Sequence, residues 1–172
     1  MALTLTKEDG SGLANANAYA DAVDGDAYHD GHLYATAWVG ATLADKEKAL
    51  VMASRLIDAE FQFNGTRTNA VQGLQWPRKD CHDPDGETEL PPDVVPPAVQ
   101  HAICELAREL LIADRTAAPA GEGLKYYNNV GVQTGYDKTD RRAVLSQVAQ
   151  VMLAKYGSQI SAKSGAVRLV RA

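Results

Sequence analysis

Residues 73–86 read GLQWPRKDCHDPDG, and they separate the two segments with the clearest helical pattern. The stretch holds Trp76, a cysteine next to a histidine, and three aspartates. These residue types occur in metal sites, active sites and interaction loops. Prolines and glycines recur from Arg67 to Pro97 and exclude a helix there, and connections of this length are often functional.

The composition is that of one ordinary globular domain. The 172 residues are 45% hydrophobic and 23% charged. No apolar run approaches the roughly 18 residues that span a membrane. The N-terminus has no signal-peptide pattern, so we expect folding in the cytoplasm. The net charge of −5 disfavours tight, non-specific nucleic-acid binding, although residues 163–172 are basic.

Helical periodicity is strong in three segments around the opening stretch. The first has Thr42 as its N-cap and ends near Asn64-Gly65, which could be a cap or a hairpin turn; the cap is favoured because the preceding pattern has helical period. The second has Pro97 in its first turn. The third begins at Asp140, packs through Val144, Val148, Val151 and Met152, and ends at Gly157. The segments are residues 42–63, 97–115 and 140–157.

Two shorter elements complete the prediction. A short helix is expected from about Asp21 to His29, with Gly25 interrupting the pattern. LKYY and VGVQTGYD predict a hairpin that turns at Asn128-Asn129. We therefore predict a mainly α fold. It is a small bundle of three long helices plus a short N-terminal helix, with a long proline-rich loop, a small β-hairpin and an extended C-terminal tail. Residues 1–157 form one domain and residues 158–172 an arm.

Four residues raise the possibility of structural zinc, namely Cys81, His82, His101 and Cys104. Zinc takes four such ligands, but adjacent Cys and His rarely bind one ion and no C-x2-C knuckle is present. We favour Cys104 as a core residue and His101 as solvent-facing, with zinc left as an alternative. Asp83–Gly86 reads as a tight turn and not as a calcium loop.

No arrangement typical of catalysis is present, and we expect no enzyme activity, no metal and no cofactor. Tyr126 and Tyr127 beside Lys125 could stack on bases, but a hairpin with tyrosines on both faces is favoured.

The Trp-Pro-Arg sequence and the tail AVRLVRA are suited to docking on other chains. A frayed terminus is the alternative for the tail.

The ordered motifs resemble those of a family of tailed-phage head-to-tail connector (adaptor) proteins, whose members are often labelled DnaT-like single-stranded-DNA-binding proteins. The resemblance covers roughly Asn15 to Tyr156. It rests on an aromatic N-terminal helix, a helix ending in F-x-G-x-R, the L-x-W-P-R motif, a D-G turn, and V-P-x-x-V opening a helix. The motifs are ANAYADAVDGDAYH, ALVMASRLIDAEFQFNGTRT, QGLQWPR and LPPDVVPPAVQHAICELARELL.

The resemblance implies a virion neck protein assembled in the host cytoplasm. Similar proteins form a ring, commonly twelve-fold, under the portal protein, and receive the tail or the next neck protein. Genomic double-stranded DNA passes through without specific binding, and no membrane is involved. The resemblance implies two sets of interface residues. Those that match the family's motif are implied to fix the loop against the helices at a subunit boundary, with Trp76 packed, and they are Arg67, Trp76, Pro77 and Arg78. The implied portal contacts lie in the tail and are Val167, Arg168, Leu169, Val170 and Arg171. The alternative is a DnaT-like single-stranded-DNA-binding module in replication.

Overall fold

A computed structural model describes residues 3–83, 85–86, 88–117, 126–129, 132–135 and 143–160. Five helices and six short strands occur in these ranges. The helices are α1 (Ala22–Asp30), α2 (Thr36–Val39), α3 (Leu43–Glu60), α4 (Pro97–Ile112) and α5 (Gln147–Leu153). The strands are β1 (Phe61–Phe63), β2 (Thr66–Arg67), β3 (Arg78–Lys79), β4 (Tyr126–Asn129), β5 (Val132–Gly135) and β6 (Gly157–Gln159). None of the described helices is both long and apolar enough to cross a membrane.

The prediction of a mainly α bundle with three long helices is wrong. The protein is a small α/β domain in which only α3 and α4 are long, with 18 and 16 residues. The strands form antiparallel two-stranded ladders, β1 with β6, β2 with β3, and β4 with β5. The ladders hold the connecting segments against the helices.

Helix α4 is the centre of the domain. It packs against α1, α2, α3 and α5. Val99, Ile103 and Leu106 form its buried line, as their helical spacing predicts. Pro97 occupies the first turn, where a missing N–H costs nothing. A helix that touches four others must bury most of its circumference, and seven of its residues are buried.

Helix α3 begins as predicted and ends earlier. The Thr42 side chain accepts a hydrogen bond from the Asp45 N–H, which confirms the N-cap. The helix ends at Glu60, and Phe61 and Phe63 lie in strand β1 with their side chains buried. Alternate burial is the period of a strand, so the helical assignment of these residues is wrong. Asn64-Gly65 is neither a helix cap nor a hairpin turn, because β1 and β2 pair with other strands.

Helix α1 confirms the predicted N-terminal helix, with Asp21 and Asp24 forming a capping box. Gly25 lies inside the helix and does not interrupt it. Its hydrogen atom faces the Trp38 ring, and a Cβ at this position would overlap that ring. Gly25 therefore lets α1 approach α2 closely.

The third predicted helix is much shorter than its pattern indicated. Helix α5 begins after Ser146, whose hydroxyl accepts from the Ala149 N–H, and it buries Ala149 and Leu153. Val148 and Val151 are exposed, so the predicted stripe is wrong at these two positions, whereas Met152 packs against the core as predicted. Asp140, the predicted N-cap, lies outside the described residues.

The hairpin is confirmed, but its turn was misplaced. Asn128 and Asn129 pair with Gln133 and Val132 and belong to strand β4. At the other end of the chain, β6 crosses the predicted boundary after residue 157 and pairs with β1. The rest of the predicted arm, residues 161–172, lies outside the described residues.

Candidate nucleic-acid interface

The Trp-Pro-Arg motif forms an internal clasp, which we define as Gln75–Arg78. The Arg78 guanidinium donates to the backbone carbonyls of Asn64 (2.6 Å), Gly65 (2.7 Å) and Gln75 (3.0 Å). A longer bond reaches the Phe63 carbonyl at 3.4 Å. Arginine suits this position because its planar group presents five donors in a fixed geometry. The clasp therefore ties the loop to the end of β1.

Trp76 anchors the same clasp from inside the core. Its side chain is 0% exposed and meets the Phe63 and Tyr156 rings edge to face, with centroids 5.6 and 6.0 Å away. The main-chain N–H of Trp76 donates to the Tyr19 hydroxyl at 3.1 Å. That hydroxyl donates in turn to Asp58 on α3 at 2.7 Å. The Trp76–Pro77 peptide bond is cis.

Burial raises the pKa of the Asp58 carboxyl to about 6. Between pH 4 and pH 6 the Asp58 carboxyl keeps a proton in the folded chain and loses it in the unfolded chain. The contribution of Asp58 to the unfolding free energy therefore falls as the pH rises through about 6. Asp58→Asn removes this effect. We expect the unfolding free energy of the variant, minus that of the wild type, to rise by up to about 3 kcal/mol from pH 4 to pH 7. Urea denaturation across this range measures the difference, and parallel pH profiles would contradict it.

The predicted contact residues differ in accessibility. Trp76 and Pro77 are buried and Arg78 is 4% exposed, so they support a surface from beneath and do not reach a partner in this conformation. Arg67 is exposed, and its guanidinium donates to the Gln72 carbonyl at 3.4 Å. The tail contacts lie outside the described residues and stay a prediction. They are Val167, Arg168, Leu169, Val170 and Arg171.

The zinc alternative gains no support from the described part of the chain, where no group of three or more His, Cys, Asp or Glu residues is arranged to hold a metal. Cys81 and Cys104 are both buried free thiols. Burial raises the pKa of the Cys104 thiol to about 12, which opposes the thiolate that zinc requires. His101 is exposed and stacks on Tyr28, with centroids 5.0 Å apart.

Asp83–Gly86 forms the predicted turn. The Gly86 N–H donates to the Asp83 carbonyl at 3.3 Å, and the Asp85 N–H donates to the Asp83 side chain at 3.0 Å. Lys155, just after α5, forms an ion pair with Asp85 at 2.6 Å. The carboxylates therefore shape the turn and attach it to the helical end of the domain.

Charge is distributed unevenly between the described ranges and the rest of the chain. The described ranges hold ten lysines and arginines against eighteen aspartates and glutamates, a formal charge of −8. Six of the ten cations pair with carboxylates: Lys7, Lys46, Lys48, Arg108, Arg115 and Lys155. The remaining sequence carries seven cations and four acids, a charge of +3. The surface of the described domain is thus poor in cations available to phosphate groups.

The β4–β5 hairpin presents an open aromatic face. Tyr126 is 59% exposed and lies opposite Gly135 in the ladder. Directly opposed residues share a face of an antiparallel pair, and glycine has no side chain to cover the ring. A Cβ at Gly135 would have no atom within 4 Å. Lys125, Lys138, Arg141 and Arg142 flank the hairpin in sequence.

The structure therefore combines a compact acidic α/β domain with an aromatic hairpin. The sequence that flanks the hairpin, residues 118–125 and 136–142, holds four cations and three acids, Glu122, Asp137 and Asp140. The family model described as "Putative DnaT-like ssDNA binding protein" matches residues 3–172, and the chain belongs to this family. No curated protein and no solved structure gives a significant match. The family label that the motifs predicted is confirmed, and the head-to-tail connector assignment stays a prediction.

Sequence reasoning missed two features of this surface. Tyr126 was identified as a stacking candidate, but its open face depends on the register that places Gly135 opposite it. The helical spacing of Val144, Val148 and Val151 predicts that this side of α5 is buried, but Val148 and Val151 are exposed. Only the burial of the alternate face, through Ala149 and Leu153, distinguishes the two.

Proposed function

We propose that this protein binds single-stranded DNA through its β4–β5 hairpin and the four cations in the sequence that flanks it. The observation that carries the proposal is Tyr126, an exposed aromatic ring opposite a glycine. Every base has a flat π-face, so an open tyrosine accepts a base of any sequence. The description of the family supports this partner.

The charge distribution sets the character of this binding. A domain with a charge of −8 repels a polyphosphate strand, so the contact must be local to the hairpin and its neighbours. The four cations beside the hairpin supply the phosphate contacts. We therefore expect modest affinity that falls steeply with salt, with a log–log slope of about −0.7 for each phosphate neutralised on a single strand.

Tyr126→Ala is expected to weaken binding of a fluorescein-labelled oligothymidine by about 5- to 150-fold, since one stacked base is worth about 1–3 kcal/mol. Fluorescence anisotropy at several salt concentrations measures the loss. Tyr34→Ala is the matched control, because Tyr34 is also exposed, at 74%, but lies on the acidic domain. Gly135→Val tests the face itself, since directly opposed side chains share a face of the ladder and a valine there would occupy space beside Tyr126 and reduce binding.

A second candidate is a structural role as a neck adaptor of a tailed phage, forming a ring on the portal protein. The observation that favours it is the acidic domain, which would let double-stranded DNA slide past without being held. A DNA-binding assay and imaging of the protein with the portal distinguish the two candidates. Equal DNA binding by wild type and Tyr126→Ala would contradict the hairpin proposal. Rings with the portal in negative-stain images, lost on removal of residues 164–172, would favour the adaptor.

We expect no catalytic activity under either candidate. Two of the charged groups buried in the described ranges, Glu8 and Arg115, have structural roles. Glu8 accepts from the N–H groups of Gly10, Gly12 and Leu13 at 2.8–3.0 Å. Arg115 donates to the carbonyls of Ala143 and Val144 and so attaches the start of the α5 segment to α4.

A further inference from the structure

An apolar groove lies between helix α5 and the β1–β6 ladder, away from the hairpin. Its volume is about 340 Å³, and its lining includes Phe61, Gln147, Val151, Ala154 and strand β6. Val151 in this lining is 67% exposed. Val148 on α5 and Ile160 after β6 are exposed next to the lining residues in sequence. Isolated exposed apolar residues are common, but apolar side chains grouped along a groove indicate a docking surface.

Strand β6 gives this groove a backbone component. It pairs with β1 along one edge, and its other edge has no strand partner among the described residues. The unpaired N–H and C=O groups of an open edge can accept an added strand, while side-chain pockets give selectivity. The groove is therefore suited to an extended segment with alternating apolar side chains.

We propose that residues 167–171 of the same chain occupy this groove as an added strand beside β6. The described chain ends at residue 160, where the Ile160 N–H donates to the Glu60 carbonyl at the margin of the ladder. In an added strand, Val167 and Leu169 face the groove and Arg168 faces outward. The apolar alternation covers these three residues and ends at Val170, which lies on the side of Arg168, while Arg171 follows at the rim of the groove.

Chain length and charge both favour the chain's own arm. Residues 161–166, SAKSGA, are small apart from Lys163 and span about 20 Å when extended, more than the return to a neighbouring strand about 5 Å away requires. A tether this short gives an effective concentration in the millimolar range. The arm carries Lys163, Arg168 and Arg171 with no acid, whereas the described ranges have a charge of −8.

Hydrogen exchange of the full chain tests the proposal and does not depend on DNA binding. Stopping the chain after Ile160 is expected to speed exchange of the β6 amides at least 10-fold, with the circular dichroism spectrum otherwise retained. Val151→Asp and Leu169→Asp in the full chain should each give the same loss. Val39→Asp is the matched control, because Val39 is 73% exposed on α2 and should leave β6 unchanged.

Two outcomes would overturn the proposal. Protection of β6 that is unchanged by the truncation and by both substitutions would show that the arm does not occupy the groove. Protection that is lost on dilution, together with a dimer or larger species in light scattering, would assign the groove to the arm of a second copy. A monomer with concentration-independent protection supports the chain's own arm.

Discussion

Trp76→Ala is expected to lower the unfolding free energy by about 3–5 kcal/mol, the range found for removing a large core aromatic side chain. The ring is fully buried between Phe63 and Tyr156, so its loss leaves a cavity and two uncovered ring edges. The main-chain bond to Tyr19 would lose its alignment as the loop moves. Urea denaturation followed by circular dichroism measures the loss.

Trp76→Phe separates packing from hydrogen bonding. The Trp76 indole N–H is buried and has no acceptor among the residues that the structure describes. Phenylalanine therefore gives up no hydrogen bond, and it also removes a polar group that burial disfavours. We expect Trp76→Phe to retain more than half of the stability lost in Trp76→Ala. Equal losses would show that the indole shape, and not burial alone, holds the clasp.

Arg78→Met is expected to cost about 3 kcal/mol, because several partly buried carbonyls would lose a charged donor together. The guanidinium serves Asn64, Gly65 and Gln75, and methionine keeps the side-chain length without any donor. Burial lowers the pKa of Arg78 from its ordinary value, but these carbonyls compensate the charge. Thermal and urea unfolding give the measurement.

The structure provides a matched control for this substitution. Arg67 lies directly across the β2–β3 ladder from Arg78, is exposed, and makes one long bond to a carbonyl. Arg67→Met should change stability by less than about 0.5 kcal/mol, as surface substitutions usually do. Equal effects at the two positions would contradict the clasp. Arg78→Lys should lie between them, since an ammonium group cannot reach carbonyls in several directions.

Both candidate functions assign the partner contacts to segments outside the helical core. The described domain is acidic, and six of its cations are held by carboxylates. The cations that could bind phosphate groups or another chain flank the hairpin in sequence or belong to the arm. If the arm occupies the groove next to α5, a partner that binds the arm must first displace it.

Local sequence signals predicted the helix starts well. Asp21, Thr42 and Pro97 each act within one helical turn, so their effect does not depend on the rest of the fold. The ends of elements were predicted less well. Phe61 and Phe63 continue the apolar pattern of α3, and only pairing with β6, almost a hundred residues later, makes them a strand.

The sequence also predicted only part of the structure around the clasp. The sequence indicated that Trp76 is packed and that Asp83–Gly86 turns the chain, and both are confirmed. It did not indicate that Arg78 points inward. An arginine in a polar loop is usually exposed, and this one is buried because the carbonyls of Asn64 and Gly65, after β1, converge on it with that of Gln75 in its own loop.

The sequence by itself determined the helix starts, the non-helical loop, the hairpin, the charge imbalance and the family. These follow from neighbouring residues, from composition or from motif order. The tertiary structure alone decided which side of α5 is buried, which arginine forms the clasp, and which face of Tyr126 is open. Each of these depends on contacts between residues far apart in the chain, and periodicity within one segment carries no information about the partner that covers it.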